Sequence, residues 1–582
     1  MVSVQPQPWP EPDPQVAAAI RAMYSGRREI PLAVRVRDRF GELFADDQFA
    51  AAFGQRGKPG WSPGRLALVT VLQKAGNLTD RQAAEAVRTD LTWKYALGLE
   101  LEDPGFDHSV LSEFRSRVIE HGLEEKVLDL LLAQLVQQGL LESGGKQRTD
   151  STHVISAVRD LSQLDLAGGA VRAALEALVC AAPQWVEQVI DVPSWSRRYG
   201  DRIPGWHAPT SKAQRTRLAV DYGRDGFALL TAVHAPASPA WLRELPAVQV
   251  LRRVLVQSYT RTVAGSGREV VKRREAEGDG LPPGHLRLTS PYDTDARRSV
   301  KGDLWWNGFK IHISETCQSP EPASACTNAG LVPREHSHAP RPNLVTNIAT
   351  TDATVPDNAM LDPIHQALRR RGLLPGEHYL DSGYASAELI VGSLKRFGIT
   401  LITPMLRDLS RQARANEGFA THDFRIDWQG RQAICPAGQT STTWSPCRQA
   451  GVAKTVVTFS PRTCSPCPQR PQCTTSKLQR RQLTLQPQEM HEALHDARAR
   501  QETEEWKHKY MLRAGVEGTI HQATAVTGIR RARYHGLRKT HLDHIYSAVA
   551  LNLIRLDAWW NGHPLDRTRS SHLARLELAL AS

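Results

Sequence analysis

KQRTDSTHV, at residues 146–154, places one carboxylate, Asp150, in a short β-prone run. Two basic residues, Lys146 and Arg148, precede the aspartate, and Val154 ends the run. Strands rarely contain aspartate, and a buried charge without a partner is unfavourable. A bound cation would offset that cost. We therefore interpret the segment as the first strand of a sheet that carries a metal-binding carboxylate.

Two further carboxylates stand in suitable settings far downstream. Asp381 lies within YLDSGYAS, and Glu517 lies within YMLRAGVEGTI. Tyr510, Arg513 and Glu517 follow offsets of three and four, so we expect them on one helix face. That face would offer a carboxylate to a metal ion and a guanidinium to a phosphate. A simple surface ion pair between Arg513 and Glu517 is the competing interpretation.

We hypothesise that folding brings these three acids together for phosphodiester chemistry. Oxygen ligands suit Mg²⁺ or Mn²⁺, and a pair of such ions serves in-line phosphoryl displacement. The three acids are far apart in the chain, so their spacing alone does not establish a site. Four other carboxylates are rival candidates: Asp293, Asp295, Asp352 and Asp357. For Asp293 and Asp295, salt bridges to Arg297 and Arg298 are the simpler explanation.

The charge of the chain favours a polyanionic partner. Lys and Arg total 73 against 61 Asp and Glu, which gives a net charge of +12. Basic residues cluster at 270–277, 367–372 and 528–539, as expected for a protein that binds double-stranded DNA. A basic protein without such a partner remains the alternative. No apolar run approaches the ~20 residues of a membrane span, and the proline-rich start is unlike a secretory signal, so we expect a cytoplasmic protein.

Periodicity predicts a helical N-terminal region followed by an α/β fold. Residues 61–76 read as a helix capped by Ser62, and residues 77–87 as a second helix that begins at Thr79. A helix pair with a short turn is the arrangement that inserts a helix into the DNA major groove, although scaffold bundles use it too. Further on, strand-like and helix-like segments alternate, which is typical of a mixed sheet. We expect Asp381 at the carboxyl end of one strand.

A late cysteine cluster has the spacing of a metal site. Cys464 and Cys467 form a CxxC pair, Cys473 follows, and either Cys435 or Cys447 is available as a fourth ligand. Four thiolates are a common ligand set for structural Zn²⁺. Reduced cysteines without metal, or an iron-sulfur cluster, are the alternatives.

Several of these motifs together resemble the DDE transposases of bacterial insertion sequences. They are RTDSTHV, YLDSGYAS and the Tyr-x2-Arg-x3-Glu array from Tyr510 to Glu517. SPYDTDARRSVKG, the following WNGFKIHISET and the cysteine cluster are similar to the insertion sequence 1182 family, whose members have an InsH-like helical N-terminus. The resemblance implies an RNase H-like core in which Asp150, Asp381 and Glu517 bind two Mg²⁺ or Mn²⁺ ions. The family places a Lys where this chain has Thr524.

The resemblance and the composition together predict six segments. They are a disordered tail (1–33), an InsH-like DNA-binding domain (34–140), an RNase H-like catalytic core (141–160, 285–404 and 495–562), a helical insertion (161–284), a β-rich insertion with the cysteine cluster (405–494) and a C-terminal tail (563–582).

The predicted function is binding of terminal inverted repeats, followed by DNA cleavage and strand transfer by a homodimer or larger assembly. Besides Tyr510 and Arg513, six residues are predicted to contact DNA: Arg530, Arg531, Arg533, Lys539, Trp305 and Trp306. The basic residues would neutralise phosphates, and a tryptophan would stack on a displaced base. A solvated basic surface and ordinary packing of the tryptophans are the simpler explanations. A nuclease without strand transfer and a non-catalytic DNA-binding regulator are the alternative functions.

Overall fold

This computed structural model describes residues 2–3, 6–26, 29–54, 56–158, 161–201, 211–263, 265, 269–317, 341–408, 412–413, 418–449 and 451–563.

The N-terminal part of the chain is helical. Short strands β1 (Val2–Ser3) and β2 (Lys58–Pro59) pair with each other. The helices of this part are α1 (Pro14–Tyr24), α2 (Leu32–Phe40), α3 (Pro63–Ala75), α4 (Asp80–Thr89), α5 (Leu91–Leu97), α6 (Ser109–Glu120) and α7 (Lys126–Gln137).

Local signals in the sequence set the ends of the predicted helix pair. The Ser62 side chain accepts a backbone N–H of the first turn of α3 at 3.2 Å. Reciprocal bonds between Thr79 and Gln82 form a capping box at the start of α4. These bonds satisfy N–H groups that a helix leaves without intrahelical partners. The two helices predicted at 61–76 and 77–87 are confirmed.

The prediction of a disordered tail at residues 1–33 is wrong, because α1 lies within it. Val16 and Ile20 of α1 are buried against Val34 of α2. Pro14 is the first residue of the helix and the earlier prolines precede it, so they do not interrupt it, and Asp13 caps its first turn. Proline is tolerated at the first helical position, where its missing N–H has no partner to lose.

A strand and a mostly helical segment follow. Strand β3 (Lys146–Ile155) leads into the predicted helical insertion, which forms a hydrophobic cluster of its own. Tyr259–Val263, inside the segment predicted to be a helical insertion, is a strand. The elements of this segment are α8 (Gln163–Ala181), α9 (Pro183–Val189), α10 (Val192–Tyr199), α11 (Lys212–Val233), α12 (Pro246–Ser258), β4 (Tyr259–Val263) and β5 (Glu269–Arg273).

One mixed sheet of six strands organises the molecule. Besides β3 it contains β6 (Arg297–Lys301), β7 (Leu304–Thr316), β8 (Val345–Asp352), β9 (Glu377–Tyr379) and β10 (Thr400–Ile402). Strands β10, β9 and β3 run parallel to one another in that order. Strand β7 is antiparallel to β3, and both β6 and β8 pair antiparallel with β7. Helices α13 (Leu361–Arg370) and α14 (Ala387–Phe397) lie between successive strands, so the fold is mixed α/β as predicted.

The second insertion is a small β-rich lobe with its own hydrophobic cluster. We call residues 418–449 and 451–485 the cysteine lobe. Its elements are β11 (Arg425–Asp427), β12 (Gln432–Ile434), β13 (Thr443–Gln449), β14 (Val452–Thr458), α15 (Pro461–Cys464), α16 (Arg470–Cys473) and β15 (Gln482–Leu485). After the lobe come α17 (Gln488–Gln501), α18 (Glu504–Tyr510), α19 (Gly515–Thr527) and α20 (Leu537–Trp560).

The two chain segments that flank this insertion lie side by side. Arg498 of α17 donates two hydrogen bonds to the Leu406 carbonyl, at 3.0 and 2.9 Å. The Gln501 amide oxygen accepts the Met405 N–H at 2.9 Å. The insertion therefore leaves and rejoins the sheet domain at one place.

A single large hydrophobic cluster joins the N-terminal helices, the sheet and α20. Lys74 of α3 and Asp543 of α20 form an ion pair within it, with side chains 1% and 5% exposed. None of the described helices is both long and apolar enough to cross a membrane. The predicted C-terminal tail lies outside the described residues except for His563, and the other segment boundaries stay predictions.

Candidate active site

Asp150 occupies the middle of β3, opposite Ile313 of β7. Its side chain is 10% exposed, and one carboxylate oxygen accepts the Arg513 guanidinium at 2.8 Å. The other oxygen accepts the Ser151 backbone N–H at 2.8 Å. Burial raises the pKa of the Asp150 carboxyl, and the charge of Arg513 opposes that rise. The expected unpaired carboxylate therefore has a partner, which is a side chain of the protein itself.

Asp381 follows β9 at its carboxyl end, as predicted, and caps a short 3₁₀ turn. One of its oxygens accepts the Gly383 N–H at 2.9 Å. A Cβ on Gly383 would lie 3.0 Å from Asp381 Oδ1 and 3.3 Å from Asp357 Oδ2. Two carboxylates therefore flank this glycine. Burial is the main cause of the raised pKa of Asp150, and the negative charge of Asp381 adds to that rise.

Glu517 lies in the first turn of α19, and Arg513 connects it to Asp150. Arg513 Nη1 donates to Glu517 Oε1 at 2.9 Å, and the Glu517 side chain is 64% exposed. The expected single helix face is wrong in detail, because α18 ends at Tyr510 and a 3₁₀ turn precedes α19. Tyr510 stacks on Trp506 with the ring centroids 4.9 Å apart, and burial raises the pKa of its hydroxyl to about 12.

A buried charge cluster holds α19 against the sheet. Glu315 of β7 is fully buried and accepts Arg148 Nε, Arg555 Nη1 and the Thr519 hydroxyl at 2.7, 2.7 and 2.6 Å. Arg148 also donates to the Leu512 carbonyl at 2.7 Å. Burial disfavours the Glu315 carboxylate, but Arg555 and Arg148 hold its pKa below the usual value. One acid thus connects two strands and two helices behind the site.

Asp357, one of the rival carboxylates, lies close to Asp381 and to Ser151, the residue after Asp150. It accepts the Ser151 hydroxyl at 3.1 Å and pairs with Lys310 at 3.0 Å. Sequence reasoning gave it no special weight, because its two partners come from distant strands. The other rivals have structural uses, and Asp295 accepts the Leu537 N–H at 2.9 Å. Asp293 accepts the Ala296 N–H at 3.2 Å, and Asp352 caps a turn at Thr354.

The donor types of this site fit a hard divalent cation, since carboxylate oxygens are what Mg²⁺ and Mn²⁺ prefer. In the part of the chain that the structure describes, no three Asp, Glu, His or Cys side chains are close enough to hold an ion as they stand. The Arg513 guanidinium lies between Asp150 and Glu517 and already supplies a positive charge there. Ion binding by both acids requires Arg513 to leave at least one of them.

Comparison with known families identifies two segments of the chain. Residues 434–557 match a transposase DDE domain, and residues 27–117 match a transposase domain of the DUF772 type. These two segments are therefore similar to transposase domains, in agreement with the resemblance of the sequence motifs. Of the three predicted acids, Glu517 lies inside a matched segment, whereas Asp150 and Asp381 do not. No curated protein and no solved structure matches this chain.

The basic residues predicted to contact DNA differ in their exposure and in the hydrogen bonds that they make within the protein. Arg533 donates to the Leu78 carbonyl at 2.7 Å, and Arg530 donates to the Thr152 hydroxyl at 3.0 Å. Arg531 and Lys539 are exposed. Arg533 thus joins the N-terminal helices to the C-terminal part, while Arg531 and Lys539 are better placed to meet a phosphate. DNA contact by these residues stays a prediction.

The two tryptophans predicted to stack on a base have opposite environments. Trp306 is 5% exposed and its indole N–H donates to the Phe309 carbonyl at 3.1 Å, so it packs in the protein interior. Trp305 is 60% exposed, with the Arg298 guanidinium 4.9 Å from the centre of its ring. Of the two tryptophans, only Trp305 is exposed enough to stack on a base, so base stacking stays a prediction for Trp305.

The four cysteines of the possible zinc site lie around one cavity. Cys435, Cys464, Cys467 and Cys473 line one cavity of the cysteine lobe. Burial raises the pKa of the Cys473 thiol, Arg481 opposes the rise, and the other three thiols add to it. Cys447 is on β13 opposite Lys454, and it is not among the residues that line the cavity.

Proposed function

We propose that this protein binds the terminal inverted repeats of an insertion sequence and catalyses metal-dependent DNA strand cleavage and strand transfer. One observation carries the proposal. Arg513 bridges Asp150 and Glu517, and Asp381 acts electrostatically on the same group of side chains. Acids that are distant in sequence thus share one polar site, in a chain with transposase domains near both ends.

We assign the metal ligands to Asp150, Asp381 and Glu517. Two bound Mg²⁺ or Mn²⁺ ions would supply Lewis-acid and nucleophile-generating chemistry for phosphodiester cleavage. Arg513 and Tyr510 are assigned to the scissile-strand phosphate, because a guanidinium matches phosphate geometry. Release of Arg513 from one acid would present it to that phosphate. The sheet supports an RNase H-like core, since three antiparallel strands, β8, β7 and β3, continue into the parallel strands β9 and β10.

Double-stranded DNA is the proposed partner, and the N-terminal helix pair is its proposed reader. Helix α3 is largely buried, whereas α4 presents an exposed polar face that includes Arg81, Gln82 and Arg88. A second helix with such a face suits entry into the major groove. Joining two DNA ends in one event requires two active sites, so we propose a homodimer or a larger assembly on DNA.

The test is a reaction of purified protein with DNA that carries the flanking element ends, with and without Mg²⁺. We expect cleaved and joined products only with the ion. Asp150→Asn, Asp381→Asn and Glu517→Gln should each reduce both products to background while leaving repeat binding in place. Glu388→Gln, an exposed acid on α14, is the matched control and should react like the wild type.

Each other outcome contradicts a stated part of the proposal. Cleavage without joined products would indicate a nuclease. Binding of the repeats without cleavage at any Mg²⁺ concentration would indicate a regulator. Full activity in one of the three variants would remove that acid from the site.

A further inference from the structure

The cysteine lobe has very little hydrophobic core. Its cluster contains six buried apolar residues: Phe424, Ala433, Val457, Phe459, Leu483 and Leu485. Most of the residues in its strands β11 and β13 are exposed or only partly buried. A segment of this size rarely folds on so small a core without a metal ion or disulfides. Its described cysteines are all free thiols, so disulfides do not supply the missing stabilisation.

Four of those thiols surround a cavity beside this small core. Cys435, Cys464, Cys467 and Cys473 contribute to its wall, together with the core residue Phe459. The thiols come from three separate places in the lobe, namely the turn after β12, the α15 region and the end of α16. Convergence of a CxxC pair with two further cysteines gives the four-ligand set of structural zinc sites.

The turn at Cys435 is already shaped to hold a thiolate. The Gln439 backbone N–H donates to Cys435 Sγ at 3.3 Å, and the Gly438 N–H donates to the Cys435 carbonyl at 2.8 Å. Gly438 has φ +78°, a conformation that favours glycine. A hydrogen bond to a metal ligand fixes the direction in which that ligand faces the ion.

We propose that Cys435, Cys464, Cys467 and Cys473 bind one structural Zn²⁺ ion, and that Cys447 does not take part. This assigns the upstream ligand that the cysteine spacing leaves open. The described residues contain no three metal-binding side chains already at ligand spacing, so the thiols must turn further into the cavity when the ion binds. Four thiolates in one cavity would repel each other without a cation, and Zn²⁺ offsets that repulsion. The ion would supply folding free energy to the lobe.

The proposal is tested by counting metal in the purified full-length protein. We expect about one zinc per chain by elemental analysis in the wild type. Cys464→Ser and Cys467→Ser should each lose most of it. Cys447→Ser is the matched control, a half-buried cysteine of the same lobe, and should retain the full amount. Loss of zinc in Cys447→Ser together with retention in Cys464→Ser would overturn the assignment.

A second measurement serves if a serine variant does not fold. A mercurial thiol reagent is added to the wild-type protein, and a chromogenic zinc indicator follows release. One equivalent of zinc released as the thiols react supports the site. A folded wild-type protein that contains no zinc, or that contains iron and sulfide instead, overturns the proposal. Neither result depends on DNA cleavage, so this inference and the proposed function fail independently.

Discussion

At the scale of single residues, Arg513 links two of the three proposed metal ligands. Its guanidinium donates to Asp150 and to Glu517 at 2.8 and 2.9 Å. An Arg can do this because its planar fork presents several N–H donors in fixed directions. A lysine ammonium carries the same charge on a single nitrogen. The geometry of the guanidinium, and not only its charge, therefore holds the two acids in place.

We predict that Arg513→Lys lowers DNA cleavage by about 100-fold, the order of effect expected for misplaced reacting groups. The folded protein and its binding to the repeats should be preserved, because the substitution keeps the charge. Cleavage rate at saturating Mg²⁺ is the measurement. Arg448→Lys, at an exposed position on β13, is the control. Wild-type cleavage by Arg513→Lys would show that charge alone is sufficient at this position.

At the scale of elements, α19 depends on its fit against β3. A Cβ on Gly515, the first residue of α19, would lie 2.0 Å from Arg148 Nη1. The glycine therefore lets Arg148 reach the Leu512 carbonyl, which ties the turn before α19 to the strand that carries Asp150. Three residues later, a Cβ on Gly518 would meet nothing within 4 Å. The same helix thus offers one constrained glycine and one free glycine.

We predict opposite effects for alanine at these two positions. Gly518→Ala should stabilise the protein by ~0.5–1 kcal/mol, as expected when alanine replaces glycine inside a helix. Gly515→Ala should destabilise it and reduce cleavage, because Arg148 must move away from the turn. Thermal unfolding and cleavage rate measure the two effects. Equal behaviour of both variants would show that the contact between Arg148 and α19 is unimportant.

The elements that sequence reasoning predicted correctly have local causes. Ser62 and Thr79 cap helices within a few residues of themselves, so α3 and α4 could be predicted. The partners of Glu315 could not, because Arg148 and Arg555 come from positions far from it in the chain. The same limit applies to Asp357. Its neighbours Ser151 and Lys310 become visible only when β3 and β7 pair, as with other contacts that depend on sheet register.

At the scale of the whole molecule, the N-terminal helices and the sheet share one hydrophobic core. Lys74 and Asp543 pair inside that core, and burial lowers the pKa of the Lys74 ammonium although Asp543 opposes the shift. Removing one partner leaves an uncompensated buried charge, which typically costs about 3–5 kcal/mol. Removing both leaves an apolar contact, which is often nearly neutral.

We therefore predict that Lys74→Met strongly destabilises the protein, whereas Lys74→Met with Asp543→Leu recovers most of the loss. Denaturant unfolding should show the destabilised variant losing the N-terminal helices and the sheet in one transition, because they share a core. The measurement is the midpoint of that transition followed by two probes, one in each part. Separate midpoints in the wild type would show that the two parts fold independently.

The hydrogen bonds from Arg498 to the Leu406 carbonyl and from Gln501 to the Met405 carbonyl hold the two ends of the cysteine-lobe insertion together. Because these two chain segments lie side by side, the lobe is attached to the sheet domain at one narrow connection. A short bridging loop between these positions would preserve the path into α18 and α19. A protein with such a loop in place of the lobe should keep Asp150 and Glu517 in their present positions.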